Sequence, residues 1–470
     1  MITKAKILIL IFIAFFTYGC NAPQKINQEV FNHLISFSKD GEYIEKTKRS
    51  REKYLKNPAD FKPNVSPVDT ILSGLEIYDK KQREKGKDTR IVFFVHGGLV
   101  TEANAIKRVE RIYQHIKKDA YPIFILWRSG LPATYGNHLT RIRQGEVRES
   151  AKYTAPIYFL TDVVDIITHA PVAWLTAGTH SVRTGLLTDR ADTNQSLEQI
   201  SQLQDHVTFE GNGNEPNTAV NRAMWMATSP FKAVATPFVY TLAKPAWEVM
   251  LRRTNMITDP SLTDQQATTY SLPVYENSLG GIELLINRIS AHANRAENIN
   301  RNISIDLIGH SMGAIVVNNL LNKNLSKSIN NIVHMASADT IDSMFSSVIP
   351  YLQNNEHTNF YSLHLHPENE NRERNAAGFA PSGSLLIWID EMYTSPDSIL
   401  SRRSGNWENI ARVLNRLPKD KQLLDRMQFK IFGLDTTKIV REPEKDIYIE
   451  SPQKHGSFSG TKYWNSETWQ

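Results

Sequence analysis

Residues 303–323 read ISIDLIGHSMGAIVVNNLLNK, and the organisation of the whole chain follows from this stretch. An apolar run, Ile303 to Ile308, leads into Gly309-His310-Ser311-Met312-Gly313, and a segment rich in alanine and β-branched residues leads out. The pattern GxSxG alone would occur by chance in roughly one chain in six of this length. Its setting gives it meaning: strand, sharp turn, helix is the arrangement that projects a serine hydroxyl above the end of a sheet. Glycines two residues to either side let strand and helix approach without a Cβ between them.

Working outward, Ile91 to Val95 (IVFFV) is an unbroken β-branched and aromatic run that ends at His96-Gly97-Gly98. Tyr121 to Trp127 (YPIFILW) is a second such run, and a helical stretch from about Asn104 to Lys118 joins the two. Runs apolar on both faces suit buried parallel strands, and strand–helix–strand order predicts an α/β fold with a mostly parallel central sheet flanked by helices. After Ser311 come further strands at about Asn331 to Met335, Phe360 to Leu365 and Gln428 to Gly433.

Between Trp127 and Ile303 nothing reads as a central strand, whereas a crossover needs only a dozen residues or somewhat more. A large helical cap insertion over 129–285 is therefore expected. Pro156 to Leu175 and Ala223 to Leu251 supply its helices. Charged and proline residues interrupt both, so neither suits a membrane span. The aromatic side chains Trp225, Phe231, Phe238, Tyr240 and Trp247 are expected to pack the cap.

A GHSMG turn after an apolar strand, HGG after an earlier one and a late His-Gly pair resemble the α/β-hydrolase superfamily, in its lipase and esterase-like members. The likeness covers about 91–128 and 300–460. It implies Ser311 as nucleophile. It implies an oxyanion hole from the main-chain N–H of Gly98, with Leu99 as the alternative, and of Met312, within the motif that His96 and Gly97 begin. The order of that superfamily is serine, acid, histidine. Of the histidines after Ser311 (His334, His357, His364, His366 and His455), only His455 lies beyond the last strand, and the resemblance makes it the base. For the acid the resemblance favours the segment after FYSLHL, with Glu370 first and Glu368 as alternative. Asp339 stands where a minority of members carry theirs. Each carboxylate also has an ordinary reading as a helix cap or ion-pair partner.

The reaction so implied is hydrolysis of a carboxylic ester, including lipid or acyl esters, through an acyl-enzyme. The substrate is a small molecule or lipid, and no cofactor is needed. Amide or peptide hydrolysis uses the same residues, and a non-catalytic lipoprotein using the fold as a binding module is the third reading. His364 and His366 share a strand face, a spacing two metal ligands can use, but no third ligand is evident, so no metal is expected.

With 41% hydrophobic and 22% charged residues the 470-residue chain has a globular composition. Its net charge of +5 is spread along the chain, without the basic, aromatic-studded face that nucleic acid requires. The single cysteine, Cys20, excludes internal disulfides and multi-cysteine zinc sites. Before it stand Lys4 and Lys6, an apolar run from Ile7 to Phe16, and Gly19, the layout of a signal peptide. This resembles the bacterial lipoprotein signal, with Thr17 and Tyr18 in place of the usual leucine and small residue. It implies cleavage before Cys20, lipidation there and a membrane-anchored place in the cell envelope, and the absence of aspartate after Cys20 favours the outer membrane. The expected organisation is a signal peptide (1–19), a tether with one short helix (20–68), the first part of the core (69–128), the cap (129–285) and the second part of the core (286–470).

Overall fold

The computed structural model describes residues 25–37, 56, 66–143, 146–148, 150–186, 190–211, 218–258, 281–295, 303–323, 329–373, 381–434 and 449–470. The expected signal peptide and Cys20 lie outside the described residues. Along the chain run β1 (Leu34–Ser36), α1 (Pro67–Glu84), β2 (Thr89–Val95), α2 (Glu102–Ile116), β3 (Tyr121–Leu126), α3 (Leu131–Thr140), the short hairpin of β4 (Ile142–Arg143) and β5 (Glu146–Val147), α4 (Ala151–Leu186), α5 (Arg190–Leu203), β6 (Val207–Phe209) and α6 (Thr218–Thr258). Then follow α7 (Gly281–Ala293), β7 (Ile303–His310), α8 (Gly313–Leu321), β8 (Ile329–Met335), α9 (Ile341–Asn354), β9 (Asn359–His364), α10 (Pro367–Arg372) and β10 (Met427–Ile431). The fold is α/β. It divides into two compact units, Met1–Pro156 with Pro245–Ser304 and Ile157–Lys244 with Ile305–Gln470.

In the first unit β3 lies between β1 and β2, all parallel, with Phe93 opposite Ile123 and Ile35 opposite Ile125. Every residue of β3 is buried, as its apolar run predicts. Helix α2 buries Ala105, Ile106, Val109, Ile112, Tyr113 and Ile116, the three-and-four spacing of one apolar face. Its first turn is closed by Thr101, whose Oγ1 accepts from the Asn104 N–H. Strand β1 corrects the expected tether: Leu34 to Ser36 pair with Phe124 to Leu126, and Val30, Phe31, Leu34 and Ile35 are buried. Three residues in a polar stretch carry too little periodicity to declare a strand.

In the second unit five parallel strands follow the order β7-β8-β9-β10-β6. Strand β6 is the second correction. It comes from the segment expected to be wholly helical, yet Val207 to Phe209 pair with Phe429 to Ile431. The two expected helices are present as α4 and α6, longer than predicted. Trp247 is buried, whereas α4 leaves Tyr153, Ile157, Leu160, Val164 and Ile167 exposed at spacings that share one helical face. No helix among the described residues is long and apolar enough to cross a membrane.

Candidate active site

Ser311 sits where β7 ends and α8 begins, with φ of 54°, in the left-handed region that costs an ordinary residue on the order of 1–2 kcal/mol. Neighbouring backbone over-determines that conformation. The Ser311 N–H donates to Met335 O at 2.9 Å, and Ser311 O accepts from the Ala338 N–H at 3.1 Å, so the loop after β8 brackets the turn on both sides. Gly309 is required by contact: a Cβ there would lie 2.7 Å from both the N and Cα of Ala314. The Met312 amide is buried at the start of α8 and meets no acceptor among the described residues. An unsatisfied N–H at a helix start favours negative charge placed before it.

His455 opens a short 3-10 turn, His455–Gly460, well past β10. Its Nε2 lies 2.9 Å from Ser311 Oγ, and both residues are buried. The structure thus brings together the serine and histidine that the sequence singles out, 144 positions apart. Two further bonds hold the histidine's main chain. His310 Nε2 donates to His455 O at 3.0 Å, and the His455 N–H donates to Glu373 Oε2 at 2.8 Å. His310, adjacent to Ser311, is therefore an anchor for the His455 backbone. Its ring also lies beside those of His455 and Phe458.

Burial lowers the His455 pKa to about 4, so the ring is neutral at pH 7 and can accept a proton. Acceptance at Nε2 requires the tautomer with hydrogen on Nδ1. That atom is buried and has no hydrogen-bond partner among the described residues. None of the three acids weighed from the sequence reaches it.

Glu370 is buried in α10 and its Oε1 accepts from Ser384 Oγ, while Oε2 has no partner among the described residues. Glu368 forms an ion pair with Arg372, Oε2 to Nε at 2.9 Å. Asp339 is engaged at both oxygens, Oδ1 by the Thr340 N–H and Oδ2 by Asn318 Nδ2 and Ser343 Oγ at 2.7 and 2.6 Å. The first choice, Glu370, binds a serine of its own surroundings and makes no hydrogen bond to His455 among the described residues. Sequence reasoning missed Glu373, which touches the histidine. The available signal was its place in PENENRE, one helical turn beyond Glu370 at the end of α10.

Burial, with Glu373, Glu408 and Asp390 nearby, pushes the Glu370 carboxyl up to about 8, against an ordinary 4.5. A folded pKa above the unfolded one means that this group's stabilisation is complete below about 4.5 and is lost as pH rises through about 8. Glu373, raised to about 7, adds in the same direction. Glu370→Gln should therefore reduce the fall in stability between pH 5 and pH 8.5, measured as the urea midpoint. An unchanged fall in the variant would show that Glu370 ionises in the folded protein at little cost.

The other singled-out residues have local partners. In the first unit His96 Nδ1 donates to Gly97 O at 2.8 Å, and its Nε2 accepts from the Trp127 N–H at 3.2 Å. Trp127 Nε1 donates to His96 O, Ser129 Oγ to the carbonyls of Gly97 and Val100, and Leu99 has φ of 59°. The Gly97-Gly98 turn is thus held from beneath by Trp127 and Ser129. In the second unit His364 Nδ1 donates to Gly405 O, and His366 joins Asn194 Oδ1 while capping α10 at the Glu368 N–H. Among the described residues no group of three or more histidine, cysteine or carboxylate side chains is placed to hold a metal ion. Comparison with protein families, with curated proteins and with solved structures found no match.

Proposed function

We propose that the chain is a serine hydrolase of the α/β-hydrolase type that cleaves carboxylic esters, lipid or acyl esters among them. The observation that carries this reading is Ser311, held at φ 54° with its Oγ 2.9 Å from the Nε2 of a neutral, buried histidine. A core serine needs neither the strain nor the base.

In this reading Ser311 Oγ attacks the ester carbonyl and its proton passes to His455 Nε2. The Met312 N–H donates to the oxygen as it becomes negative, a contribution of about 3 kcal/mol to the barrier. His455 then gives its proton to the departing alcohol, leaving Ser311 acylated. Water attacks the acyl-enzyme with His455 again as base, releasing the acid and restoring Ser311. The signal-like N-terminus, with Cys20 as lipidation site, would place this chemistry at the membrane of a bacterial envelope.

The test is fluorophosphonate labelling of the full-length protein. Expected is one label per chain at Ser311, absent in Ser311→Ala. A folded wild-type protein that stays unlabelled would turn the reading toward a binding module built on the same fold.

A further inference from the structure

We infer that Glu373 is the positioning acid of the site, holding His455 through its main-chain N–H and accepting from its Nδ1–H when the imidazole takes the proton of Ser311. This rests on the serine-hydrolase reading and supplies the member that the geometry of Glu370, Glu368 and Asp339 withholds.

Four observations converge. Among the described residues Glu373 is the carboxylate hydrogen-bonded to His455, at 2.8 Å from the main-chain N. Its other oxygen, Oε1, accepts nothing from the described residues. His455 Nδ1 is buried and bare. Asp390 is engaged by Arg403 and Asn409, and Glu370 holds Ser384 through Oε1 and makes no hydrogen bond to His455 among the described residues.

A histidine's main-chain N and its Nδ1 are only four covalent bonds apart. A carboxylate already seated on the N–H therefore needs only rotation about its own side-chain torsions to bring the second oxygen to Nδ1. A positively charged imidazole at low dielectric favours that rotation strongly, whereas a neutral one does so weakly. The contact is thus made when charge develops on His455, the point in the reaction at which it lowers the barrier. The chain order Ser311, Glu373, His455 is retained.

The charged groups around Glu373 are Glu370 from α10 and Lys454 beside His455, with Glu408 and Asp390 beyond Glu370. Burial raises the Glu373 carboxyl to about 7, partly opposed by its bond to the His455 N–H and by Lys454. Reaction requires His455 neutral, above about 4, and Glu373 ionised, above about 7. The higher of the two sets the acid limb of the rate.

The experiment is the pH dependence of fluorophosphonate labelling and of ester turnover for the full-length wild type, Glu373→Gln, Glu373→Asp and Glu370→Gln. Glutamine keeps an acceptor for the His455 N–H and removes only the charge. Expected are a wild-type acid limb near pH 7, a fall in kcat on the order of 10³ to 10⁴ with little change in KM for Glu373→Gln, loss of the limb near 7 in that variant, and partial recovery in Glu373→Asp.

A folded Glu373→Gln protein that keeps wild-type kcat and pH profile would overturn the assignment, and where that variant fails to fold, an unchanged kcat and profile in Glu373→Asp would do so instead. A loss confined to Glu370→Gln would move the role to Glu370. Absence of wild-type labelling at every pH would instead count against the hydrolase reading itself.

Discussion

Ser311→Ala should lower ester turnover by about a millionfold, His455→Ala should cost nearly as much, and the double variant should lose no more than either alone. The 2.9 Å contact between Ser311 Oγ and His455 Nε2 makes the two side chains one chemical unit. A serine hydroxyl without its base is a poor nucleophile, and a base without the hydroxyl has nothing to deprotonate. The residual rate in all three proteins would come from the Met312 amide and from substrate binding. Single-turnover kinetics on the three variants check this. Additive losses would mean that serine and histidine act in separate steps, and the proposed mechanism would fail.

Gly405→Ala is expected to have the largest effect on stability, about 3 kcal/mol. Its Cβ would lie 2.2 Å from Ser337 N and 2.4 Å from Ala336 C, both main-chain atoms that cannot swing aside. The loop it would strike is fixed from several directions. Ala336 has φ of 44° and donates to Leu363 O, the Gly405 N–H donates to Ser337 O at 2.9 Å, and Arg403 Nη1 donates to Ala338 O at 3.1 Å. The Ala338 N–H in turn holds Ser311 O, so displacement of this loop reaches the elbow. The variant should show a lower urea midpoint and, in its folded fraction, a lower kcat. An unchanged midpoint would show that the two loops part with little resistance.

Much of this arrangement was legible from residue order. Strands β2 and β3 are apolar runs whose burial on both faces follows from parallel pairing, and β7 to β10, with polar residues among the apolar ones, were still readable as strands. The elbow was legible because Gly309 is demanded by the approach of Ala314, a contact that GxSxG encodes locally. Strands β1 and β6 were not, since each has three residues and takes its identity from the neighbour it pairs with. Glu373 was hidden for a related reason. Glu368, Glu370 and Glu373 stand within six residues of one another; Glu368 pairs with Arg372 on its own helix, but only tertiary partners, Ser384 and the His455 N–H, tell Glu370 from Glu373.

The separation of 144 residues between serine and histidine also sets an order in time. Synthesis proceeds from the N-terminus, and contacts distant in sequence close late because the intervening chain must first be ordered. Ser311 is built into its turn by β7, β8 and β9, with Arg403 and Gly405 holding the loop after β8. His455 arrives on 3-10 turns that dock through Phe458 against Phe432 and Trp469 against Tyr361. On the proposed mechanism a half-made or half-folded chain therefore carries a serine with no partner, and hydrolytic competence is the last property the molecule acquires.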